Sequence, residues 1–496
     1  MKQKLTRRKF ITLAATGAAA ATLAACAPAA TPTAAPAPAK PTDAPKPAAP
    51  AATTAPAAPA ATAAPAATAA PAATAVPAAP TQAPAPVMTA KGGDIRKSKS
   101  GFKGTLQYWV LGYQPQRANA TGRLMDDAVA QFMADNPDIK VEVTGYTGDQ
   151  AGFTKLTQSV QGGSADIFRL PSDILPLLVR DDLVAPVDSF LTDADKADIY
   201  PGLLKAVSIK DKAYAWPLWV PPVGMYLNLD VFKEKGVDLP PKTWTYDQFV
   251  DVAKKLTFTR ASGEKVYGFT AGIDPGLVNA WPLFMGDDPS ILPLTPDNKK
   301  FAFDTPVAAA ALDKFAALAL THKVTPPDFG AQNIADIGTG FKKGVFAMYP
   351  EPSGASSGYK ADKINFDVWP MPIGKSGKPV TAGGIGLISV YAGKDKAKVQ
   401  AAMDLGRYLT SKEVGDDVAG FYLAPGARKS IKLTDPINKF DPFVDSCYIT
   451  PIIADWPAIR TIIHPKLQNV IFGKEKAADA MKAIAPEINK ILDAAK

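Results

Sequence analysis

The chain is poor in the two residues on which most metal and redox chemistry of proteins depends. Its 496 residues include only two histidines, His322 and His464, and two cysteines, Cys26 and Cys447. Two histidines nearly exclude a metal site built from imidazole groups. Neither a G-x-x-x-x-G-K-[ST] phosphate loop nor an H-E-x-x-H metal helix occurs in the sequence. We therefore expect no cofactor and no metal.

Long apolar runs and basic clusters are also missing. The most apolar segment near the start, residues 10–25, is shorter than the roughly 20 residues that a spanning helix needs. The net charge of +8 is modest for this length, and the basic residues are dispersed. Because no basic patch interleaved with aromatic residues occurs, the sequence favours no nucleic-acid partner.

The first 25 residues have the pattern of an export signal. Arg7, Arg8 and Lys9 precede a short apolar segment that ends in small residues. This start resembles the twin-arginine export motif, but an ordinary secretory signal fits as well. The end of the segment, Leu23-Ala24-Ala25-Cys26, resembles a bacterial lipobox. It predicts lipidation of Cys26 and an exported protein that is held on the outer face of the cell membrane.

A low-complexity segment follows the lipidation site. From residue 27 to about residue 90 the chain is mostly Ala, Pro and Thr, with almost no charge. Such a composition cannot bury a core, and its spaced prolines favour extended backbone. We interpret residues 26–100 as a lipidated cysteine and a tether. Cys447 would then have no disulfide partner within the chain.

The remainder of the chain alternates predicted strands and helices. "GTLQYWVLGY", "IKVEVTGY" and "ADIFRL" have strand patterns, and "RLMDDAVAQFMADNP" and "KLTQSVQGG" between them have helical ones. Later segments continue in this way, with "TYDQFVDVAKKL" and "KVQAAMDLGRYL" as helices and "GIGLISVY" as a strand. This order predicts an α/β fold, in which helices flank a sheet.

Two enzymatic interpretations have limited support. Gly354-Ala355-Ser356-Ser357-Gly358 matches the G-x-S-x-G nucleophile elbow, but Pro350, Glu351 and Pro352 separate it from the preceding strand. A glycosidase would need two carboxylates facing one bond, which a sequence cannot place. An exported lipoprotein enzyme that acts on glycans therefore stays open as an alternative function.

Several blocks of residues 101–496 resemble, in order, the family 1 extracellular solute-binding proteins of ABC importers, which include maltose-binding protein. The blocks are "FMADNPDIKVEV", "GGSADIFRL", "AYAWPLWVPPVGMYLNLDVFKEKGVDLPPKTWTYDQFVDVAKKLT", "NAWPLF", "FKKGVFAMYPEPSG" and "GGIGLISVYAGKDKAKVQAAMDLGRYLTS". Ala165 stands where the family usually has proline.

The resemblance implies a two-lobed fold of the periplasmic-binding-protein type, with hinge segments that cross between the lobes. We expect one lobe at 101–219 plus 385–440 and the other at 221–383 plus 441–496. The resemblance further implies a monomer without enzymatic activity. It would capture a sugar, oligosaccharide or related polyol in the interlobe cleft and deliver it to the permease of an ABC transporter.

Candidate ligand-binding residues lie where predicted strands end and where the family chain lines the cleft. Aromatic rings cover the apolar faces of sugars, and polar side chains bind the hydroxyl groups. The candidates are Tyr113, Gln114, Ser172, Asp173, Trp219, Trp281, Glu351, Gly383, Gly384 and Trp456.

Each candidate also has an ordinary structural interpretation. Any one tryptophan is about as often core as ligand platform, and Asp173 could cap a helix. Glu351 could be a surface acid, and Gly383 and Gly384 could serve only the hinge. We assign Trp109, Trp216 and Trp244 to packing, and leave Trp369 open.

Overall fold

The structure is a computed structural model that describes residues 94–116, 120–147, 150–172, 174–273, 281–375, 377–417 and 424–494. Cys26, the signal, most of the predicted tether and Asp173 lie outside the described residues. The helices are α1 (Ala120–Asp135), α2 (Gln150–Gln161), α3 (Leu175–Arg180), α4 (Asp193–Asp198), α5 (Pro201–Ala206), α6 (Leu229–Lys235), α7 (Tyr246–Lys255), α8 (Trp281–Asp287), α9 (Pro306–Leu320), α10 (Ile334–Lys342), α11 (Ala355–Ala361), α12 (Lys396–Leu409), α13 (Lys412–Asp417), α14 (Trp456–Ile471) and α15 (Ala477–Ala494).

The strands form two main sheets and three short pairs. They are β1 (Gly104–Leu111), β2 (Ile139–Tyr146), β3 (Ile167–Pro171), β4 (Ser208–Ile209), β5 (Lys212–Ala213), β6 (Trp216–Trp219), β7 (Val223–Asn228), β8 (Phe258–Thr259), β9 (Lys265–Val266), β10 (Met348–Pro352), β11 (Phe366–Trp369), β12 (Thr381–Gly383), β13 (Gly386–Val390) and β14 (Cys447–Ile449). The mixed α/β architecture predicted from the sequence is confirmed.

The first lobe is built on a five-stranded sheet in the order β2-β1-β3-β13-β6. β1 pairs in parallel with β2 and β3, whereas β13 runs antiparallel to β3 and β6. Successive side chains of a strand point to opposite faces, so Tyr108 and Trp109 enter different apolar clusters. On the Tyr108 face, Phe132 of α1 stacks on Tyr408 of α12. Both faces of the sheet are therefore covered, as an α/β sheet requires.

The second lobe is built on a three-stranded antiparallel sheet in the order β10-β7-β11. One face, with Met225 and Trp369, packs into the large core that α9, α14 and α15 complete. The other face carries Tyr226 and Tyr349 and forms an aromatic cluster with Tyr359. Each lobe thus has its own core. Among the helices of these residues, none combines the length and hydropathy that a membrane span requires.

The segment that precedes β1 is fastened to the first lobe. The Ser98 hydroxyl and the Lys99 amide both donate to Asp404 of α12, at 2.8 and 2.9 Å. The Ser98 amide donates to the side-chain oxygen of Asn136 at 2.7 Å, and the Asn136 amide nitrogen donates to the Arg96 carbonyl at 2.7 Å. Because Asp404 and Asn136 are both buried, these bonds fix where the folded chain begins.

Candidate functional site

Within the described residues, the chain passes between the two cores at three places. At the first, Val220 lies in a core of the first lobe, and Val223 already lies in the core of the second. At the second, Ala382 belongs to the second lobe and Ile385 to the first. The third passage includes β14, which pairs in parallel with β12. The domain boundaries predicted at 219–221 and 383–385 fall at the first two passages. That these positions separate two domains remains a prediction.

Close packing among these passages explains one of the candidate glycines. A Cβ on Gly383 would lie 2.8 Å from the Pro221 carbonyl oxygen and 3.2 Å from the Cys447 sulfur. All three passages meet at this residue, so any side chain would force them apart. This contact supports the hinge interpretation of Gly383. Its role in ligand binding remains a prediction.

Three candidate residues lie together at one edge of the first lobe's sheet. Gly386 is paired with Pro171 on one side and with Trp219 on the other. Ser172 follows directly after Pro171, and its hydroxyl oxygen accepts a hydrogen bond from the Ile385 amide at 3.3 Å. A Cβ on Gly384 would lie 3.8 Å from that same oxygen. Ser172, Trp219 and Gly384 therefore meet where the chain leaves this lobe.

Two further candidates follow the next strand along the same edge. β1 runs parallel to β3, with Val110 opposite Arg169, so Tyr113 and Gln114 come after its end at the same side of the sheet. Gln114 is exposed. The Tyr113 hydroxyl donates to Asp126 of α1 at 2.6 Å, and burial together with this bond raises the pKa of Tyr113.

Trp219 is held from several sides. It is 8% exposed, and it forms an isolated bridge with Gly426. A Cβ on Gly386 would lie 2.3 Å from the Trp219 indole nitrogen, so this glycine leaves room for the indole. The guanidinium carbon of Arg169 lies 4.0 Å from the centre of the Trp219 ring system. Neither Arg169 nor Gly386 was predicted from the sequence, although an arginine among the apolar residues of "IFRL" was a signal for the first.

The second lobe contributes Glu351, near the end of β10. Glu351 is opposite Gly224, one residue after the start of β7, and the Ser353 amide donates to the Pro222 carbonyl at 3.1 Å. Its carboxylate accepts a hydrogen bond of 2.6 Å from the Tyr359 hydroxyl. Burial raises the pKa of the Glu351 carboxyl to about 7, although the Tyr359 bond opposes this shift. Glu351 is therefore a half-buried carboxyl rather than a surface acid.

The two remaining tryptophan candidates lie inside the core of the second lobe. Trp281 is 0% exposed and Trp456 is 1% exposed. The Trp281 ring packs edge-on against Phe284 and Phe303, with ring centres 5.6 and 4.7 Å apart. Neither indole N–H has a hydrogen-bond partner among the described residues. The structure does not show either residue beside the first lobe's edge, so their ligand-binding role remains a prediction.

The tryptophans assigned to packing are found in cores, as predicted. Trp216, Trp244 and Trp109 are each at most 9% exposed. Trp369, which the sequence left open, packs into the second lobe, and its indole nitrogen donates to the Pro240 carbonyl at 3.0 Å. Burial alone therefore does not separate these tryptophans from the candidates.

The apparent nucleophile elbow has no elbow geometry. Ser356 lies within α11 and is 0% exposed, and its hydroxyl donates to the Ser353 carbonyl at 2.7 Å. His464, the histidine that a triad would need, contacts the Ile273 carbonyl oxygen instead. A nucleophile must be reachable by its substrate, so Ser356 does not fit that role. Within the described ranges, no group of three or more His, Cys, Asp or Glu residues has the arrangement of a metal site.

A cavity between the lobes lies beside the third passage. This cavity of about 300 Å³ has Lys205 and Ser208 of the first lobe on one wall and Thr295 and Asn298 of the second on another. Thr450 lines it between them. None of the candidate ligand-binding residues that the structure describes is among its lining residues. The candidate site and this cavity are therefore separate regions of the boundary between the lobes.

Comparison with known proteins places this geometry in a family. Residues 127–441 match the family described as bacterial extracellular solute-binding protein. Since the match covers more than half of the chain, the protein belongs to this family. Its members bind solutes and are not enzymes as a class.

Individual relatives agree with this assignment. The ABC substrate-binding protein Lmo0181 of Listeria monocytogenes, solved with cycloalternan, is 22% identical, with a TM-score of 0.66 over 79% of this chain and 100% of that one. A solute-binding protein of Thermotoga lettingae, solved with alpha-D-tagatose, is 23% identical, with a TM-score of 0.63 over 79% and 100%. A putative binding protein of Brucella abortus is 22% identical over 80% of this chain and 99% of its own length. The two-lobed fold predicted from the sequence is thereby confirmed.

Proposed function

We propose that this protein captures a sugar, oligosaccharide or polyol between its two lobes and delivers it to the permease of an ABC transporter. The observation that carries the proposal is the convergence of Ser172, Trp219 and Gly384 at the edge where the chain crosses between the lobes. Ligands of open α/β sheets bind at the ends of strands. The relatives solved with cycloalternan and alpha-D-tagatose support a saccharide ligand.

The residues at this edge suit such a ligand chemically. Trp219 offers an aromatic ring for the apolar face of a sugar. Ser172, Gln114 and Tyr113 offer groups that can donate to or accept from hydroxyl groups. Across the boundary, Glu351 would supply a carboxylate or, in its protonated form, a donor. Asp173 would add a second carboxylate. Trp281 and Trp456 stay candidates through the family resemblance alone, because both are buried in the core of the second lobe.

Closure of the lobes around the ligand would follow from this arrangement. The passages between the cores are short: Val220 and Val223 belong to different lobes although they are three residues apart. Hinge motion needs only a few such residues to change their backbone angles. We expect bound ligand to compact the protein, which small-angle scattering can measure.

Export and anchoring belong to the same proposal. The Leu23-Ala24-Ala25-Cys26 sequence supports lipidation, and the Ala/Pro/Thr segment supports a tether to the outer face of the membrane. We expect Cys26→Ser to move the protein from the membrane fraction to the soluble fraction. Mature protein that stays membrane-bound, with unprocessed precursor excluded by size, would contradict the lipid anchor.

The binding function is tested by a thermal-shift screen of the full chain against sugars and polyols, followed by calorimetric titration of the hits. A ligand that binds only the folded state stabilises it by about 2.7 kcal/mol at 100 times its Kd. We expect at least one saccharide to raise the melting temperature. If no saccharide or polyol does so, the proposed function is wrong.

A pair of serine variants shows whether the hit binds at the proposed edge. Ser172→Ala removes the hydroxyl at the crossing, and we expect weaker binding. Ser389→Ala removes an equally buried hydroxyl within β13, which donates to the Tyr214 carbonyl at 3.0 Å. This control should cost stability without changing affinity. Equal affinities for both variants would place the ligand elsewhere.

A further inference from the structure

The second lobe has a cavity of its own, which we call the second-lobe cavity. Its volume is about 460 Å³, within the range of about 300–1,000 Å³ that small-molecule sites have. Its walls come from β9, the end of α9, residues 323–329 and the end of α14. None of the candidate ligand-binding residues that the structure describes lines it. A molecule bound here would therefore occupy a site separate from the proposed saccharide site.

Aromatic rings line the second-lobe cavity from three of these segments. They belong to Tyr267 after β9, to Phe329, and to Phe472 directly after α14. Phe329 is 1% exposed and packs against Phe315 of α9, with ring centres 5.4 Å apart, so this ring is held in place. Leu320, which also lines the cavity, is 43% exposed. An aromatic molecule in the cavity would pack against these rings and cover this leucine.

Thr325 adds a polar group to the cavity wall. It is 6% exposed and lines the cavity. Its hydroxyl has no hydrogen-bond partner among the described residues. A buried hydroxyl without a partner destabilises the folded protein, and most such groups in proteins are paired. A ligand group that forms a hydrogen bond with Thr325 would satisfy this hydroxyl.

Two lysines give the second-lobe cavity a positive charge. Lys265 and Lys323 line it, and both residues are exposed. In the part of the chain that the structure describes, neither is ion-paired with a carboxylate. Glu264, the chain neighbour of Lys265, is bound by Arg260 at 2.5 Å instead, and Asp328 is not among the lining residues. The charge of the cavity therefore favours a ligand with an anionic group.

An alternative role for these lysines is to offset the ends of α9 and α14, because a helix C-terminus carries a partial negative charge. Backbone amides already satisfy part of both ends. The Leu318 carbonyl of α9 accepts the Val324 amide at 3.0 Å, and the Val470 carbonyl of α14 accepts the Gly473 amide at 2.9 Å. The helix ends therefore have partners of their own, and the two ammonium groups remain accessible to a ligand.

The aromatic walls, the buried hydroxyl and the two ammonium groups together favour one class of ligand. We propose that the second-lobe cavity binds a small aromatic molecule that carries a carboxylate or a similar anionic group. Its ring system would pack against the aromatic walls, and Lys265 and Lys323 would attract its charge. A sugar suits this cavity less well, because its many hydroxyl groups need several polar partners.

Matched pairs of probes test the proposal on the full chain. The pairs are 2-naphthoate with 2-naphthamide, and indole-3-acetate with indole-3-acetamide, so that each pair shares a ring system and differs in charge. We expect at least one acid to bind at least tenfold more tightly than its amide in calorimetric titration. The difference should shrink as ionic strength rises, because the lysines are exposed. If neither acid binds, or if the amides bind as tightly, the proposal is wrong.

Thr325→Val assigns the binding to the cavity, because it keeps the shape of the side chain and removes the hydroxyl. We expect the melting temperature of the free protein to rise, since an unpartnered buried group is removed, and the affinity for the acid to fall roughly three- to tenfold. Thr410→Val is the matched control: Thr410 is 5% exposed, and its hydroxyl donates to the Gly406 carbonyl at 3.0 Å. This control should lower the melting temperature and leave the affinity unchanged. A lower melting temperature for Thr325→Val would show that its hydroxyl is already satisfied, and would contradict the proposal.

Two further changes test the charge and the space. Lys265→Met together with Lys323→Met should abolish the preference for the acid, whereas Lys343→Met, at an exposed lysine after α10, should change nothing. Ala319→Phe puts a ring into the cavity and should weaken binding of the acid at least tenfold. An acid whose affinity survives both changes binds elsewhere, and the proposal is then wrong. The probe pairs decide on the wild type even where a variant fails to fold, and their failure leaves the proposed saccharide function untouched.

Discussion

Trp219 and Trp281 look alike in the sequence, and both are buried, yet they occupy different places in the molecule. Trp219 ends a strand at the crossing between the lobes and contacts Arg169 and the backbone of neighbouring segments. Trp281 begins α8 and is enclosed by Phe284 and Phe303. One ring lies where the chain crosses between the lobes, and the other belongs to a continuous core. From this difference we predict that position relative to the crossing, rather than burial, distinguishes a ligand platform from a packing residue.

Replacement of the enclosed ring should have the largest effect. Trp281→Ala removes a 0% exposed side chain and leaves a cavity among aromatic rings. We expect a loss of about 3–5 kcal/mol in the free energy of unfolding, measured by denaturant titration. The folded fraction should keep its ligand affinity.

Trp281→Phe is the matched control, because it keeps an aromatic ring and should cost less. A small loss of stability for Trp281→Ala together with much weaker binding would erase the contrast between the two tryptophans. It would return Trp281 to the ligand site.

On the second lobe's side of the boundary, Glu351 should make the stability of the protein depend on pH. The folded-state pKa of Glu351 is raised to about 7 from its ordinary 4.5. Between these values the folded state holds a proton that the unfolded state has lost, so stability falls as the pH rises. The slope for this single group approaches about 1.4 kcal/mol per pH unit at most, or roughly 2 kcal/mol between pH 5 and 7. Chemical denaturation at several pH values measures it.

Glu351→Gln removes the titrating group and isolates its contribution from those of other groups. We expect the difference in stability between the wild type and this variant to change steadily between pH 5 and 7. A constant difference would mean that Glu351 titrates normally and is better solvated than its position indicates.

Replacement at the crossing should have a smaller and different effect. Trp219→Phe shrinks the ring beside Arg169, and we expect ligand affinity to fall by about 1–2 kcal/mol, roughly 5- to 30-fold. Trp216→Phe, in the same strand and 1% exposed, is the control. It should lower stability and leave affinity unchanged. Equal effects on affinity would show that the edge of the sheet has no special role.

The tether should have the smallest effect. Residues 27–95 have a composition that cannot form a core, so we expect chains that start near Ala27 and near Ser98 to bind ligand equally well in calorimetric titration. A difference above about tenfold, or 1.4 kcal/mol, would show that the segment takes part in binding.

The sequence predicted the strands of the first lobe well because their patterns are local. "IKVEVTGY" alternates along its length and is β2 without a shift of boundary, and Asn136-Pro137 stop α1 at Asp135. The crossing at Trp219 was also accessible, through the resemblance. The surroundings of the site could not be predicted from the sequence, because they depend on the register in which the strands pair. Arg169, Gly386 and Trp219 lie on three different strands, and the pairing register of these strands brings them together. No local sequence pattern encodes that register.

The tryptophans also show that local sequence cannot identify the residues of a binding site. A ring that stacks on sugar and a ring that fills a core have the same chemistry and often the same flanking residues. Trp281 and Trp456 fitted the family pattern as well as Trp219 did. Only the partners that come from distant parts of the chain, such as Phe303 against Trp281, separate them.

The hydrogen bonds that hold the segment before β1 to the first lobe have a mechanical consequence. Ser98 and Lys99 are bonded to Asp404 and Asn136, which both belong to the first lobe. A pull transmitted along the chain from its N-terminal side would therefore act on the first lobe through these hydrogen bonds. The second lobe stays outside the load path. With the proposed tether and hinge, the second lobe would therefore close on a solute without doing work against the tether.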